Sequence, residues 1–288
     1  MVLEAMLINV IDPCDRMKDF STFEFAGEGF PARKVYVKGN GPAVVLLHEL
    51  PGMIPECVDL GRSIAAAGLT VYMPLLFDEP DRPFSIPKTL ALVAQICISH
   101  EFYCFVKHQS SPITQWLKAL CRQAHDDCKG PGVGVIGMCL TGGFVLSLMA
   151  DESVIAPVAS QPSLPIGITA SHKAALGISA DDLAAAKARE VPLLAIRFSE
   201  DKTSPAERFE TLRQEFGDTP EVIRDDESLC WKRGKTLETI QINSGEDNPS
   251  GISRTAHPVL TLELRESGHP TREAFNRVLE FLHERFDQ

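Results

Sequence analysis

No apolar run in the 288-residue sequence approaches the roughly 18 residues that a bilayer-crossing helix needs, so no membrane span is expected. The opening residues, MVLEAMLINVIDPCD, carry no basic stretch and bring acids at once, which does not fit a secretory signal. Cysteine is sparse. Eight in 288 residues are too few for a disulfide scaffold, and no two stand as C-x-x-C, so neither a zinc site nor a thioredoxin-type site is supported. A reducing, cytoplasmic setting is the expectation. There is no long block of one charge. The net charge of -11 comes from acids spread along the chain, which argues against nucleic acid or an anionic membrane as partner. Internal repeats and low-complexity tracts are also missing.

The composition, 44% hydrophobic and 23% charged, is ordinary for a soluble globular protein. The length suits one α/β domain, with 225–257 as a polar stretch that could be an insertion. Apolar β-like runs fall at 33–37, 43–47, 69–73, 133–136, 154–159, 192–198 and 259–264. Helical patterns lie between them at 58–67, after Ser111-Pro112, from Cys139 to about Ala150, at 205–216 and at the carboxyl terminus. Such alternation predicts an α/β fold with a mostly parallel sheet covered on both faces. Residues 78–88, with three prolines, read as a loop over the carboxyl edge of that sheet, and 236–243 as a hairpin inside the polar stretch.

The segment 133–149, VGVIGMCLTGGFVLSLM, carries the chemistry. An apolar strand runs into Gly137-Met138-Cys139-Leu140-Thr141-Gly142-Gly143 and then into an apolar helix. This resembles the nucleophile elbow of α/β-hydrolases, G-x-Nu-x-G, with cysteine as the nucleophile. A sharp strand-to-helix turn strains the nucleophile and leaves no room for flanking side chains. It also puts the thiol at a helix N-terminus, where unpaired N–H groups favour an anion. A thiol beside such a terminus and a histidine can titrate well below its usual value of about 8.5. Cys121 and Cys128, like Cys97 and Cys104, are spaced seven apart as core residues would be. Gly132, Gly134 and Gly137 also spell G-x-G-x-x-G. In the dinucleotide fingerprint, however, the strand precedes the first glycine, and here it lies inside the match.

The elbow predicts the chain order nucleophile, acid, histidine. Asp201 follows the strand 192–198, with Glu200 as its rival, and His269 follows the expected last strand 259–264. His269 would take the thiol proton and later activate water, and Asp201 would orient its ring. His257, in the polar stretch, is the alternative base. Histidines 100, 108, 125, 172 and 283 read as solvated. The strand 43–47 ends in His48-Glu49-Leu50-Pro51-Gly52. The loop there and the residue after the nucleophile supply the oxyanion-hole N–H groups in this fold, which points to Leu50 and Leu140.

With His48-Glu49-x-x-Gly52, Gly137-x-Cys139-Leu140, Asp201 and Gly268-His269 in place, the chain resembles the dienelactone hydrolase family from about residue 30 onward. The resemblance implies an α/β-hydrolase without a large lid. It implies a cysteine-dependent hydrolase of small esters or lactones that needs no cofactor and no metal, working as a monomer or homodimer. Glu49 would match the family glutamate that contacts the resting thiol. Arg82 and Arg272 would bind a substrate carboxylate, since a planar guanidinium suits bidentate pairing. Thr141 stands where the family usually has glycine, so the elbow is either wider or Thr141 hydrogen-bonds beside the site. The rival functions are a non-catalytic small-molecule binder built on the same fold, and a thioesterase or acyltransferase that keeps the triad and changes the acceptor.

Overall fold

The computed structural model describes residues 16–27, 30–77, 79–98, 111–164, 169–246 and 248–288, with the side chains of 95–98 outside that description. Ten described strands form one sheet. In chain order they are β1 (Ser21–Phe25), β2 (Arg33–Gly39), β3 (Ala43–Leu47), β4 (Thr70–Pro74), β5 (Val133–Met138), β6 (Val154–Ser160), β7 (Leu193–Phe198), β8 (Glu221–Asp225), β9 (Leu229–Arg233) and β10 (Leu237–Ile242). Their order across the sheet is β1-β2-β4-β3-β5-β6-β7-β10-β9-β8. The central strands from β4 through β3, β5, β6 and β7 to β10 are parallel. Antiparallel strands close both flanks.

The described helices are α1 (Pro55–Ala66), α2 (Ile86–Ile98), α3 (Pro112–Cys128), α4 (Leu140–Leu148), α5 (Ala170–Ala174), α6 (Ala180–Ala188), α7 (Ala206–Phe216) and α8 (Pro270–Phe286). Successive side chains of a strand point to opposite faces, and β3 shows what that does here. Val45 and Leu47 join a core built with α3, α4 and α7, while Val44 and Leu46 join a second core built with α1 and α8. A strand buried on both faces reads as an unbroken apolar run, which is why AVVLL, PLLAIRF and VIAPVA are legible as strands. Helix α3 is amphipathic as its spacing predicts, with Ile113, Trp116, Leu117, Leu120 and Ala124 all buried. None of the described helices is long and apolar enough to cross a membrane.

The polar stretch 225–257 is not peripheral to the sheet, because it contributes β9 and β10. Residues 236–243, expected to be a hairpin, hold only its second strand: the hairpin is β9 with β10, and β10 then pairs in parallel with β7 from Leu237↔Leu193 to Ile242↔Phe198. β10 is therefore the last strand. Residues 259–264, expected to be that strand, are turns. Val259, Leu260 and Thr261 are all buried in succession instead of alternating, and the Glu263 N–H returns to the Pro258 carbonyl at 3.0 Å. The proline-rich loop ends at Ser85, because Pro87 sits in the first turn of α2, where its missing N–H has no helical partner to lose. The expectations for His100, His108 and Cys104 lie outside the described residues, as does the side chain of Cys97.

Candidate active site

Ligands of open α/β sheets bind beyond the carboxyl ends of the strands. Four strand ends converge there. β5 ends in the turn at Cys139, β3 runs into His48-Glu49-Leu50, β7 leads to Asp201, and the chain after β10 returns with His257.

The β5–α4 turn holds Cys139 at φ 56° and ψ -121°, a conformation that residues with a Cβ rarely adopt. Its N–H donates to Ser160 O at 3.1 Å, and its carbonyl accepts from Gly142 N–H at 3.0 Å and Ser163 N–H at 2.9 Å. The turn is so close that a Cβ on Gly137 would lie 2.3 Å from the Thr141 carbonyl oxygen. A Cβ on Gly142 would touch Ser160 O and Pro162 Cα at 3.0 Å. Thr141, in the place of the usual glycine, hydrogen-bonds within the turn. Its hydroxyl is fully buried, accepts from Met138 N–H at 2.9 Å, and lies 3.0 Å from Leu47 O, so it ties the turn to β3. Overpacking a rigid site costs about 1–3 kcal/mol or more. Gly137→Ala, which presses on backbone, should therefore lower the chemical-denaturation midpoint at unchanged slope by at least that equivalent. A midpoint equal to the parent's would contradict the packing.

Asp201, not Glu200, points into the site. One carboxylate oxygen accepts from the N–H groups of Thr203 at 2.8 Å and Ser204 at 3.2 Å. The other meets His257 Nδ1 at 2.6 Å. Burial raises the Asp201 pKa, but the His257 bond and charge, with the two N–H donors, outweigh it and hold the group below the usual carboxylate value. The Glu200 side chain is half exposed and faces Arg254 at 3.7 Å.

The imidazole that meets this carboxylate belongs to His257. His269, the expected base, is instead the N-cap of α8. Its Nδ1 accepts from Thr271 N–H and lies 2.7 Å from Thr271 Oγ1, while its Nε2 is 3.2 Å from Ser250 O. Both of its nitrogens are committed outside the cavity. The difference between the two histidines has one physical cause. The expectation placed the histidine after the last parallel strand; that strand is β10, and the first histidine after it, His257, is the one that meets Asp201. Both histidines precede a proline, at His257-Pro258 and His269-Pro270, so the local sequence does not separate them.

A single ligating atom from each of Glu49, Cys139 and His257 falls within 4.8 Å of the other two. Burial draws the His257 pKa down, but the Cys139 sulfur and the Asp201 carboxylate more than offset it, and the group lies well above its ordinary value. Its Nε2 is buried and has no hydrogen-bond partner among the described residues. Glu49 is almost fully buried. Its oxygens accept from Thr261 Oγ1 and, at 3.4 Å, from Gln161 Nε2, and burial raises its pKa. Cys139 Sγ and Ser163 Oγ lie 3.0 Å apart. Arg208 sits behind this wall, all its reach spent on the carbonyls of Pro162, His172, Ala175 and Thr203. Burial pulls its pKa down to about 10, with Cys139 and Asp201 acting against the shift, so it stays cationic at neutral pH.

Leu50 and Leu140 flank Cys139 on the wall of a cavity of about 460 Å³, and the Leu50–Pro51 peptide is cis. Neither N–H donates a loop or turn bond to another described residue. Arg82 and Arg272 do not line the cavity. Arg82 is exposed and paired with Glu79, and the Arg272 Nε donates to Arg265 O at 2.9 Å while its guanidinium lies over Phe275. Sequence reasoning missed Gln161, Ser163 and Thr261. The first two follow the carboxyl end of β6, so the strand-end rule would have pointed to them. Thr261 had no such signal, because its segment reads as a strand.

A cysteine elbow, a carboxylate-held imidazole and a buried glutamate at one sheet edge agree with what a sequence profile finds: that of the dienelactone hydrolase family matches residues 28–222, well over half of the chain. The chain belongs to the dienelactone hydrolase family. With the family comes the enzyme class, a hydrolase acting on esters or lactones. The match stops before both histidines, so the coordinates alone distinguish them. The fold is similar to that of an esterase from Pyrococcus furiosus, with TM-score 0.61 and 13% identity over 99% of this chain and 100% of that one. It is also similar to a dienelactone hydrolase from Anabaena variabilis, with TM-score 0.55 and 14% identity over 93% and 99%. Est1E from Butyrivibrio proteoclasticus aligns with TM-score 0.53 and 11% identity over 93% and 99%. At such identities the likeness concerns the fold. Functionally curated proteins give no match.

Proposed function

We propose that this family member hydrolyses small carboxylic esters or lactones through a thioester intermediate on Cys139, with His257 as acid–base group and Asp201 as its orienting carboxylate. The observation that carries the reading is the His257 ring, bonded to Asp201 Oδ2 at 2.6 Å, with one of its nitrogens within 4.8 Å of the sulfur of Cys139 on the elbow. In this reading the sulfur adds to the substrate carbonyl while His257 holds the thiol proton. The N–H groups of Leu50 and Leu140 receive the oxyanion, a contribution typically worth about 10²–10³ in rate per donor. The carbon–oxygen bond then breaks, and the leaving alkoxide takes the proton from His257. Water loses a proton to the same nitrogen, adds to the thioester, and expels the sulfur as the acid departs. Asp201 keeps Nδ1 occupied, so that Nε2 is the nitrogen that works. Glu49, whose pKa burial raises, places its carboxyl beside the resting sulfur.

Limiting iodoacetamide tests the reading. Burial pushes the thiols of Cys57 and Cys121 up, and Cys230 is raised as well, which slows all three. Peptide mapping should find the first equivalent of label on Cys139, and p-nitrophenyl acetate hydrolysis should fall in proportion. Full hydrolysis by protein labelled stoichiometrically at Cys139 would refute the mechanism.

A further inference from the structure

Catalytic groups fix the reaction, but the wall of the cavity fixes what enters. Leu50, Phe84, Val93, Leu140, Leu164 and Leu262 make that wall largely apolar. Phe84, 42% exposed, carries the apolar lining out to the mouth. Its polar interruptions are the uncharged hydroxyls of Thr89, Ser163, Thr203 and Thr255. The other ionisable groups on it are Cys139, His257 and two carboxyls, Glu49 and Glu263. No lysine or arginine lines the cavity among the described residues.

Three arginines nearby, and His257 itself, already have partners. Arg265 pairs with Glu263 at 2.9 Å, and Arg254, next to Thr255, faces Glu200 at 3.7 Å. Arg208 gives its N–H groups to backbone carbonyls. His257 is balanced by Asp201 at 2.6 Å. A carboxylate entering this space would lose its water and meet no lysine or arginine among the described lining residues, and an unpaired buried charge is strongly unfavourable. An alkyl chain would lose water from apolar surface against apolar walls, which is favourable. The cavity is of a size that takes a small molecule whole.

Resting on the hydrolase reading above, we propose that the site selects esters and lactones whose acyl portion is uncharged and apolar, and that it rejects those bearing a carboxylate. The test compares p-nitrophenyl hexanoate with the mono-p-nitrophenyl ester of adipic acid, which have acyl chains of equal length and differ in a terminal carboxylate. The expected kcat/KM ratio favours hexanoate at least 100-fold. Glu263→Gln, which removes one wall carboxylate, should narrow it by threefold or more. A ratio near one, or one that favours the adipate ester, overturns the proposal.

A second measurement does not depend on turnover. The second-order rate of Cys139 alkylation is compared for neutral iodoacetamide and anionic iodoacetate, each relative to glutathione. The expected preference for the neutral reagent exceeds that of glutathione at least tenfold, and equality overturns the proposal. Loss of ester hydrolysis with this preference intact would count against the hydrolase mechanism and leave the selectivity standing.

Discussion

Replacing His257 with alanine lowers kcat/KM for p-nitrophenyl acetate by about 10³-fold or more, a loss within the range that acid–base groups supply, while His269→Ala leaves it within about threefold. The two residues are twelve apart, and each precedes a proline. Their environments differ in kind. His257 stands between a buried carboxylate and the sulfur, with Nδ1 held at 2.6 Å. His269 caps a helix and touches Ser250 and Thr271. Loss of an N-cap side chain typically costs about 1 kcal/mol. His269→Ala should thus show mainly in thermal stability, by a few degrees for a chain of this size, with kcat little changed. His257→Ala should keep its fold, because Asp201 retains the N–H groups of Thr203 and Ser204. The two variants are read side by side, activity in one assay and melting in another. An inactive His269→Ala with an active His257→Ala would reverse the assignment.

That pair of histidines also shows where sequence reasoning stops. The elbow was legible because its geometry restricts composition. Only glycine fits at 137, where a Cβ would meet Thr141 O at 2.3 Å, so the sequence has to display the constraint. The fully buried strands β3, β5 and β7 and the nearly buried β6 were legible as apolar runs, and α3 and α8 as one-sided spacings. β8 was not, since Glu221, Val222 and Ile223 are all exposed on an edge strand and nothing forces a pattern on them. β10 was obscured because it follows a polar hairpin. Residues 259–264 were misleading because Val259, Leu260 and Thr261 are apolar or buried for another reason, to close the floor of the site beneath Glu49. Which histidine stands beside Asp201 depends on a single strand's pairing with β7, a contact between segments more than forty residues apart. Arg82 and Arg272 were misplaced for a related reason. Proximity in sequence to a loop or a histidine says nothing about which way a long side chain turns, and both turn to nearby partners.

Cys139→Ala and Cys139→Gly should both lose hydrolysis by about 10⁴-fold or more, the scale seen when a catalytic nucleophile is removed from its partners. Their stabilities should diverge. At φ 56° and ψ -121° a side chain strains the backbone, and such conformations cost of order 1–3 kcal/mol. Alanine keeps the Cβ and so keeps the strain; glycine removes it. Against this, glycine gives the unfolded chain more freedom, worth about 0.5–1 kcal/mol relative to alanine. Both variants lose the contact between the sulfur and Ser163 Oγ, so that term cancels in the comparison. The strain term is the larger one, and the glycine variant should therefore melt above the alanine variant by a few degrees, since about 1 kcal/mol shifts the midpoint by roughly 2–4 °C in a domain of this size. Differential scanning calorimetry of the two proteins under identical conditions decides it. A glycine variant that melts below alanine would mean the elbow stores no strain, and the thiol would then be presented by the surrounding hydrogen bonds alone. A higher melting point together with abolished turnover would show that the fold gives up stability at this residue to raise one sulfur toward His257.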